Sequence, residues 1–279
     1  MPGTVRIGVI APHGDLAIEE ACAEEERVLA PATQRAMQEM ARRVAAAAPD
    51  VAVVATPHNV HVEGHMAVLV SSTVAGRFDE AANQLPLSLR VDRDLALAVH
   101  RYMNDAGIPT VAISFGGNVA SESSSPIDWG TLVPMWHIAR EAPDVPVVVV
   151  APARDLDPAA HVRAGATIVE AARALGRGVA FVASADQGHG HLADGPYGFH
   201  AESAEFDAKA ADIVRRGALE ELTAIPAEEA RAALVDSWWQ MLMLHGALEE
   251  DGGGFEAELL AYEAPTYYGM LTATFGRRD

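Results

Sequence analysis

Short runs of β-branched and small apolar residues alternate along the chain with longer stretches of helical character. This pattern constrains the fold more than any other feature. The runs are at 5–10, 51–54, 110–114, 145–150 and 178–183. They are nearly continuous in apolar residues, which is typical of strands buried on both faces. Strands separated by helices of ten or more residues need crossover connections. The sequence therefore predicts an α/β fold with a mainly parallel central sheet flanked by helices.

The remaining segments complete this prediction. A helical stretch over 18–48 should break near Pro31, because proline interrupts a helix interior. Segment 66–78 alternates in polarity and is expected to be antiparallel. Helices are predicted after residue 202, at 212–222, 227–248 and 255–263. No repeat or change in composition divides the chain, so residues 1–279 are predicted to form a single domain with a mostly helical C-terminal third.

Composition restricts the chemistry and the partners. Cys22 is the only cysteine, so a cysteine-cluster metal site is excluded and any metal must be held by histidine and carboxylate. The chain has 39 acidic against 20 basic residues and a formal charge of −19, which argues against nucleic acid or an anionic membrane as a partner. A signal-peptide pattern and an apolar run of about 20 residues are both absent from the sequence. We therefore expect a cytoplasmic protein.

Histidines gather after the predicted strands. Of the 11 histidines, seven follow a strand or lie in the loop that it feeds, at positions 13, 58, 61, 65, 189, 191 and 200. Ligands of α/β sheets bind where the carboxyl ends of the strands meet. Imidazole and carboxylate suit iron, zinc or manganese, and two histidines with one carboxylate are typical of non-haem Fe(II) oxygenases. His13 and His58 are the first two candidate ligands.

Other catalytic motifs fit poorly. His61 and His65 have the spacing of a zinc-protease pair, but Val62 stands where that motif needs glutamate. A zinc deaminase would need a pair of cysteines. The sequence also lacks the Gly-x-Ser-x-Gly hydrolase elbow and a dinucleotide-binding glycine motif after the first strand. We interpret His61 and His65 as pocket-lining or structural.

Four segments together resemble the class III extradiol ring-cleavage dioxygenases, typified by the β subunit of protocatechuate 4,5-dioxygenase. They are Gly-Val-Ile-Ala-Pro-His-Gly at 8–14, Val-Val-Ala-Thr-Pro-His-Asn at 53–59, Ser-Ala-Asp-Gln-Gly-His at 184–189 and Ala-Glu-Leu-Leu-Ala-Tyr at 257–262. Their order and spacing cover nearly the whole chain.

The resemblance implies a role for particular residues. His13, His58 and Glu258 would hold Fe(II), with zinc or manganese as other metals that the site could take. Glu256 and Glu263 compete with Glu258 for the third position. His189 would act first as catalytic base and then as acid. The residues expected to contact substrate are Asn59, His61, Trp129 and His191.

One position departs from the family pattern. Asp128-Trp129-Gly130 resembles an Asp-His-Gly segment whose histidine is a second acid/base group in some members. Tryptophan cannot exchange a proton at neutral pH. Either His61, His65 or His191 takes that role, or the role is dispensed with, and Trp129 instead walls the substrate ring.

The implied reaction inserts both atoms of O2 into a catechol-type or 2-aminophenol-type ring and opens it, as in aromatic compound catabolism. The partners would be this small aromatic substrate and O2, with a homo-oligomer or second subunit as the assembly. The acidic charge favours a neutral or weakly acidic ring, although Arg154 and Arg163 are candidates to bind a carboxylate. Two alternatives are a non-catalytic Memo-like metal-binding or interaction protein and a zinc-dependent hydrolase.

Overall fold

An eight-stranded sheet organises the protein, whose computed structural model describes residues 4–79 and 81–277. The strands are β1 (Val5–Ala11), β2 (Val51–Ala55), β3 (Met66–Leu69), β4 (Thr73–Arg77), β5 (Pro86–Arg90), β6 (Thr110–Ile113), β7 (Ser124–Pro126), β8 (Val147–Ala151), β9 (Val179–Ser184), β10 (Phe255–Glu263) and β11 (Met270–Arg277). The helices are α1 (Pro31–Ala46), α2 (Arg93–Asp105), α3 (Trp129–Glu141), α4 (Pro158–Ala174), α5 (Ala201–Arg216), α6 (Ala227–Ala232) and α7 (Trp238–Glu250).

The strand order in the large sheet is β10-β11-β1-β9-β2-β8-β3-β6. The four strands β1, β9, β2 and β8 run parallel, and all residues of β2, β8 and β9 are buried. On one side β11 pairs antiparallel to β1, and on the other side β3 pairs antiparallel to β8. A smaller sheet has the order β5-β4-β7. The prediction of a mainly parallel α/β sheet flanked by helices is confirmed.

Helices α4 and α7 pack closely against each other, and two glycines make this approach possible. A Cβ atom on Gly165 would lie 1.8 Å from the carbonyl oxygen of Met243, and one on Gly246 would lie 1.9 Å from that of Val162. Helix α7 also packs on β1 and β9. Its position matters for function, because the loop that precedes α7 is thereby held near the carboxyl ends of those strands.

Two predicted helical stretches have different boundaries in the structure. The stretch 18–48 becomes helical only at Pro31, where α1 begins. The stretch 227–248 is two helices, α6 and α7, separated by residues 233–237.

No helix of the described ranges, 4–79 and 81–277, is both long and apolar enough to span a membrane.

The predicted helix at 255–263 is wrong, because this segment is strand β10, paired antiparallel with β11. Three glycines with positive φ angles, Gly252–Gly254, separate it from α7 and turn the chain back. At the start of β10, exposed glutamates at 256 and 258 alternate with half-buried residues. This period of two residues is typical of a strand with one face in solvent.

Candidate active site

Three neighbouring parallel strands, β1, β9 and β2, deliver polar side chains to one edge of the sheet. His13 follows β1 and His58 follows β2, while Asp186 follows β9, which lies between them. The backbone N–H of His13 donates to Asp186 Oδ1 (3.0 Å). The carboxyl ends of adjacent parallel strands therefore meet here, as the sequence predicts.

The two histidines meet a carboxylate from the loop between α6 and α7. His13 Nε2 and His58 Nε2 lie 3.0 Å apart, and Asp236 Oδ2 lies 3.2 Å from the first and 3.1 Å from the second. His13 and Asp236 are buried, and His58 is half-buried. These three atoms form a nearly equilateral triangle of two nitrogens and one oxygen.

This donor set fits a divalent transition metal. Ligand atoms bonded to one ion at about 2.1 Å and at right angles are about 3.0 Å apart, close to the separations within the triangle. Two imidazoles and one carboxylate are also the ligands of the facial triad used by non-haem iron. Among the described residues, His13, His58 and Asp236 are the group of histidine, cysteine and acidic side chains that converges in this way.

Hydrogen bonds around His13 fix its tautomer. Ser184 Oγ donates to the carbonyl oxygen of Gly130, so it accepts from His13 Nδ1–H (2.9 Å). A neutral His13 then carries its lone pair on Nε2, the atom in the triangle. Ser184 thereby orients the ring as an outer partner of a metal ligand does.

Two buried carboxyl groups, those of Asp186 and Asp236, lie beside the histidines of the site. Burial opposes a charged imidazole, yet the carboxylates of Asp186 and Asp236 raise the pKa of His13 to about 9. Burial by itself would raise the pKa of Asp236, but His13 and His58 hold it well below its usual value. Burial raises the pKa of Asp186. Two buried carboxyl groups beside two imidazoles form a site that attracts a cation.

His189 follows Asp186 in the same loop and has a defined tautomer as well. Its Nδ1 lies 2.8 Å from the carbonyl oxygen of Leu234, which can only accept, so Nδ1 carries the proton. Nε2 is then the basic nitrogen of the neutral ring. The ring stacks on Tyr268 at 5.8 Å between centroids and also contacts Tyr197 and Tyr267.

Two cavities open on this cluster, and both are lined by His58, His189 and Tyr197. The first, of about 500 Å³, is also lined by His13, Gly14, Asp15, Leu16, Glu26, Leu29, Phe78, Trp129, Asp186, Thr266, Tyr267 and Tyr268. The second, of about 450 Å³, is also lined by Arg154, Arg231, Leu234, Val235, Asp236 and Trp239. A concave site with a few convergent polar groups is where a small ligand binds.

Known proteins resemble this chain over most of its length. The family model described as the catalytic LigB subunit of aromatic ring-opening dioxygenase matches residues 8–273. The chain belongs to this family. It is 24% identical over 255 residues to Protein CA_C1420 of Clostridium acetobutylicum, covering 91% of this chain and 54% of that protein. The chain thus spans about half the length of this curated relative.

A solved structure shares the fold. The crystal structure of the uncharacterized protein JW3007 from Escherichia coli K12 aligns with a TM-score of 0.58 at 16% sequence identity, covering 97% of this chain and 99% of the other. At this identity the likeness concerns the architecture alone. The shared architecture extends over nearly the whole of both chains.

Trp129 and Asn59 lie close to His13, His58 and Asp236, which together are called the triad below. Trp129 stacks on the ring of His58, with centroids 4.2 Å apart and planes at 28°, and it lines the first cavity. Asn59 Nδ2 donates to Asp128 Oδ2 (2.6 Å), while Asp128 Oδ1 accepts from the hydroxyl of Thr56. Asn59 therefore braces the loop after β2 and lines neither of the two cavities.

The structure does not bring His61 and His191 into either cavity at the triad. His61 is exposed in the loop after β2. His191 Nε2 lies 2.8 Å from Oδ2 of the buried Asp207, which also accepts from the hydroxyl of Tyr262 (2.6 Å). Gly188 N–H donates to Asp207 Oδ1. His191 is thus part of a buried network that fixes the loop carrying His189.

Glu258, the third metal ligand in the sequence prediction, also lies away from the triad. The carboxylate that the structure brings to His13 and His58 is that of Asp236. On strand β10 the side chain of Glu258 is 58% exposed, and its Oε2 accepts from Arg43 Nη1 (2.7 Å). Glu256 is exposed on the same strand, and Glu263 accepts from the backbone and hydroxyl of Thr33. The choice of Glu258 rests on the resemblance of segment 257–262 to the family segment, but in the structure this segment is part of strand β10, and its glutamates lie away from the two histidines.

Asp236 is the residue that sequence reasoning missed. It lies within the stretch 227–248 that the pattern joined into one helix. Asp236-Ser237 directly before the apolar run of α7 is a helix-start signal, and it would have split that helix. The signal locates the break, but it does not say that the loop reaches the carboxyl ends of β1 and β2.

Proposed function

We propose that this chain is a non-haem Fe(II)-dependent extradiol dioxygenase that inserts both atoms of O2 into a catechol-type or 2-aminophenol-type ring. The observation that carries the proposal is the triangle of His13 Nε2, His58 Nε2 and Asp236 Oδ2, with edges of 3.0–3.2 Å, beneath an aromatic-lined cavity. Membership of the LigB family supports a reaction that opens aromatic rings.

His13, His58 and Asp236 would hold the metal. An Fe(II) ion held there would supply the chemistry that brings a ring with two neighbouring heteroatoms and dioxygen together at one place, so that a termolecular encounter becomes local. Tyr268 and His189 line the first cavity next to this position. The sole cysteine is no competitor for the metal, because Cys22 is buried with its thiol against the carbonyl oxygens of Asp15 and Ile18.

His189 is the proposed acid/base residue. Its Nδ1–H is engaged by the Leu234 carbonyl oxygen, so Nε2 accepts the second proton of the substrate and returns it when the ring opens. An imidazole suits this task because its ordinary pKa lies near neutral pH. The three tyrosines around the ring, Tyr197, Tyr267 and Tyr268, limit its movement.

Trp129 is proposed to wall the substrate ring. Its indole stacks on His58 and so fixes the plane of that imidazole. Offset aromatic contacts of this kind are worth about 1 kcal/mol beyond the area they bury. Among the described residues the histidines lining the two cavities are His13, His58 and His189, so proton transfer is assigned to His189 alone.

The test is metal analysis and oxygen uptake on protein purified without oxygen. We expect about one Fe(II) per chain and uptake of one O2 per ring with a panel of catechols and 2-aminophenols. His58→Ala should lose the iron, whereas His61→Ala, three residues along in the same loop, should keep it. Stoichiometric zinc with no oxygen uptake on any of these compounds would instead favour the hydrolase or the interaction protein.

A further inference from the structure

The second cavity brings two arginines to the metal triad. Arg154 follows β8 and Arg231 lies on α6, and both line this cavity together with His58, Asp236 and His189. The guanidinium of Arg154 lies over the ring of Trp239, 4.9 Å from its centroid. Trp239 is buried, so this cation–π contact holds the charge in the cavity wall.

Among the residues that the structure describes, neither guanidinium has a carboxylate partner. Within 4–79 and 81–277, no hydrogen bond or ion pair reaches the side chain of Arg154 or Arg231, and the cation–π contact is the one interaction of Arg154. Carboxylates are abundant in a chain with 39 acidic residues. Several other arginines are paired with them, namely Arg42, Arg43, Arg77, Arg140, Arg173, Arg177, Arg216 and Arg277.

The two cavities differ in charge. The first is lined by three acidic residues, Asp15, Glu26 and Asp186. In the second, the acidic lining residue is Asp236, whose Oδ2 is already engaged by His13 and His58. An anionic group is therefore repelled on one side of the triad and attracted on the other.

We propose that the second cavity is a carboxylate-binding subsite and that Arg154 and Arg231 determine specificity for a ring substrate carrying an anionic side group. The inference rests on the proposed function, since it assumes that the ring sits at the triad. A guanidinium offers several N–H donors to one carboxylate, and such charge-assisted bonds are about twice as strong as neutral ones. The net charge of the chain favoured a substrate with a neutral ring, and the two arginines favour a ring with an acidic side group instead.

The test is calorimetric binding to the metal-loaded protein without oxygen, so that no turnover occurs. The probes are 3,4-dihydroxybenzoate, 3,4-dihydroxyphenylacetate and 3-(3,4-dihydroxyphenyl)propionate, each compared with its primary amide. The amide keeps the shape of the side group and removes its charge. We expect one acid of the series to bind about tenfold or more tightly than its amide.

Variants assign this preference to residues. Arg154→Gln and Arg231→Gln should each weaken the preferred acid about tenfold and leave its amide within about twofold. Arg154→Lys should retain part of the preference, because it keeps the charge but loses the fork of donors. Arg163→Gln is the matched control, since Arg163 is exposed on α4 and lines neither cavity at the triad.

The outcomes separate this inference from the proposed function. Equal binding of acids and amides, or unchanged preference in both glutamine variants, would overturn the carboxylate subsite and leave the dioxygenase proposal standing. If none of the six compounds binds to the metal-loaded protein, the subsite proposal fails, and the proposed function fails with it only if the panel of catechols and 2-aminophenols also gives no oxygen uptake. A preference lost equally in Arg163→Gln would also overturn the assignment to the cavity.

Discussion

Two carboxylates in this protein each face a basic partner, yet their surroundings differ greatly. Asp236 has a side chain that is 7% exposed and lies between His13 and His58 at the carboxyl ends of the parallel strands. Glu258 has a side chain that is 58% exposed and pairs with Arg43 on strand β10. The sequence prediction chose the second residue, and the structure brings the first to the histidines.

Burial makes the difference between the two sites. Exposed ion pairs contribute about 0–1 kcal/mol, because water and salt screen the charges. A buried charge that loses its partner costs about 3–5 kcal/mol. Asp236 is thus held by its surroundings in a fixed, charged form that suits metal binding, whereas Glu258 makes a contact that water can replace.

The largest expected effect is at Asp236. Asp236→Asn removes the charge and one ligand atom, so we expect metal affinity to fall more than about a hundredfold, beyond the effect of losing an outer partner of a ligand. Oxygen uptake should be lost with it. Glu258→Gln is the same chemical change at the exposed site and should leave both unchanged. The comparison breaks if the metal content, measured after gel filtration, is normal in Asp236→Asn or lost in Glu258→Gln.

His189 tests whether the proton transfer can be separated from metal binding. His189→Gln should keep the metal, since His189 is outside the triangle, while kcat falls about 10²- to 10⁴-fold with the loss of the base. Metal content and kcat are measured on the same preparation. His61→Gln, an exposed histidine in the loop after β2, is the control and should not change either value. Normal turnover in His189→Gln would remove this residue from the mechanism.

Asp207 extends the comparison to a buried carboxylate outside the triad. It accepts from Gly188 N–H, from the hydroxyl of Tyr262 and from His191. We expect Asp207→Asn to lower the free energy of unfolding by about 3 kcal/mol, because buried donors lose their charged acceptor. Tyr262→Phe removes one donor and should cost about 1 kcal/mol. Urea titration distinguishes these values, and a loss below 1 kcal/mol in Asp207→Asn would contradict the role of burial.

Two buried histidines give the protein a pH dependence of stability. Burial lowers the pKa of His137 to about 4, and the same cause lowers that of His161 to about 4. In the unfolded chain a histidine has a pKa of about 6.5, so below this pH the unfolded state binds protons that the folded state does not. The contribution is therefore complete above pH ~6.5 and is lost as the pH falls toward about 4.

The size of this effect follows from the same linkage. Each histidine removes about 1.4 kcal/mol per pH unit below its unfolded pKa, or about 2 kcal/mol by pH ~5. His137→Gln keeps a donor for the carbonyl oxygen of Ala17 and does not titrate. The loss of stability between pH 7 and 5, measured by urea unfolding, should shrink by about 2 kcal/mol in this variant. An unchanged loss would exclude His137 as its source.

Most of the fold could be predicted from the sequence, and so could two of the three triad residues, His13 and His58. The apolar runs at 5–10, 51–54 and 178–183 are locally unambiguous strands, and a parallel sheet must bring their carboxyl ends together. That rule predicts that His13 and His58 lie at one edge of the sheet, whereas the family resemblance selects His189 from among the other strand-end histidines. Their arrangement needs no knowledge of distant packing.

Asp236 could not be predicted in this way, because its position depends on the packing of α7 rather than on a strand end. The close approach of α4 and α7 at Gly165 and Gly246 places the preceding loop over the sheet edge. Strand β10 shows the opposite problem. Its Leu-Leu-Ala core is compatible with a helix, and only pairing with β11 selects the strand.

The smallest expected effect closes the comparison at Glu258. The Arg43 guanidinium holds the pKa of Glu258 below its usual range, but the side chain is largely in water. Arg43 also bonds to Glu39 and to the hydroxyl of Thr274, so it keeps partners when Glu258 is replaced. Glu258→Gln should change the free energy of unfolding by less than about 0.5 kcal/mol, and the difference should vanish in about 1 M salt. If the free energy of unfolding changed by more than about 2 kcal/mol and the change persisted in salt, the exposed ion pair would contribute as much to stability as a buried one. Burial would then no longer explain why the two carboxylates differ.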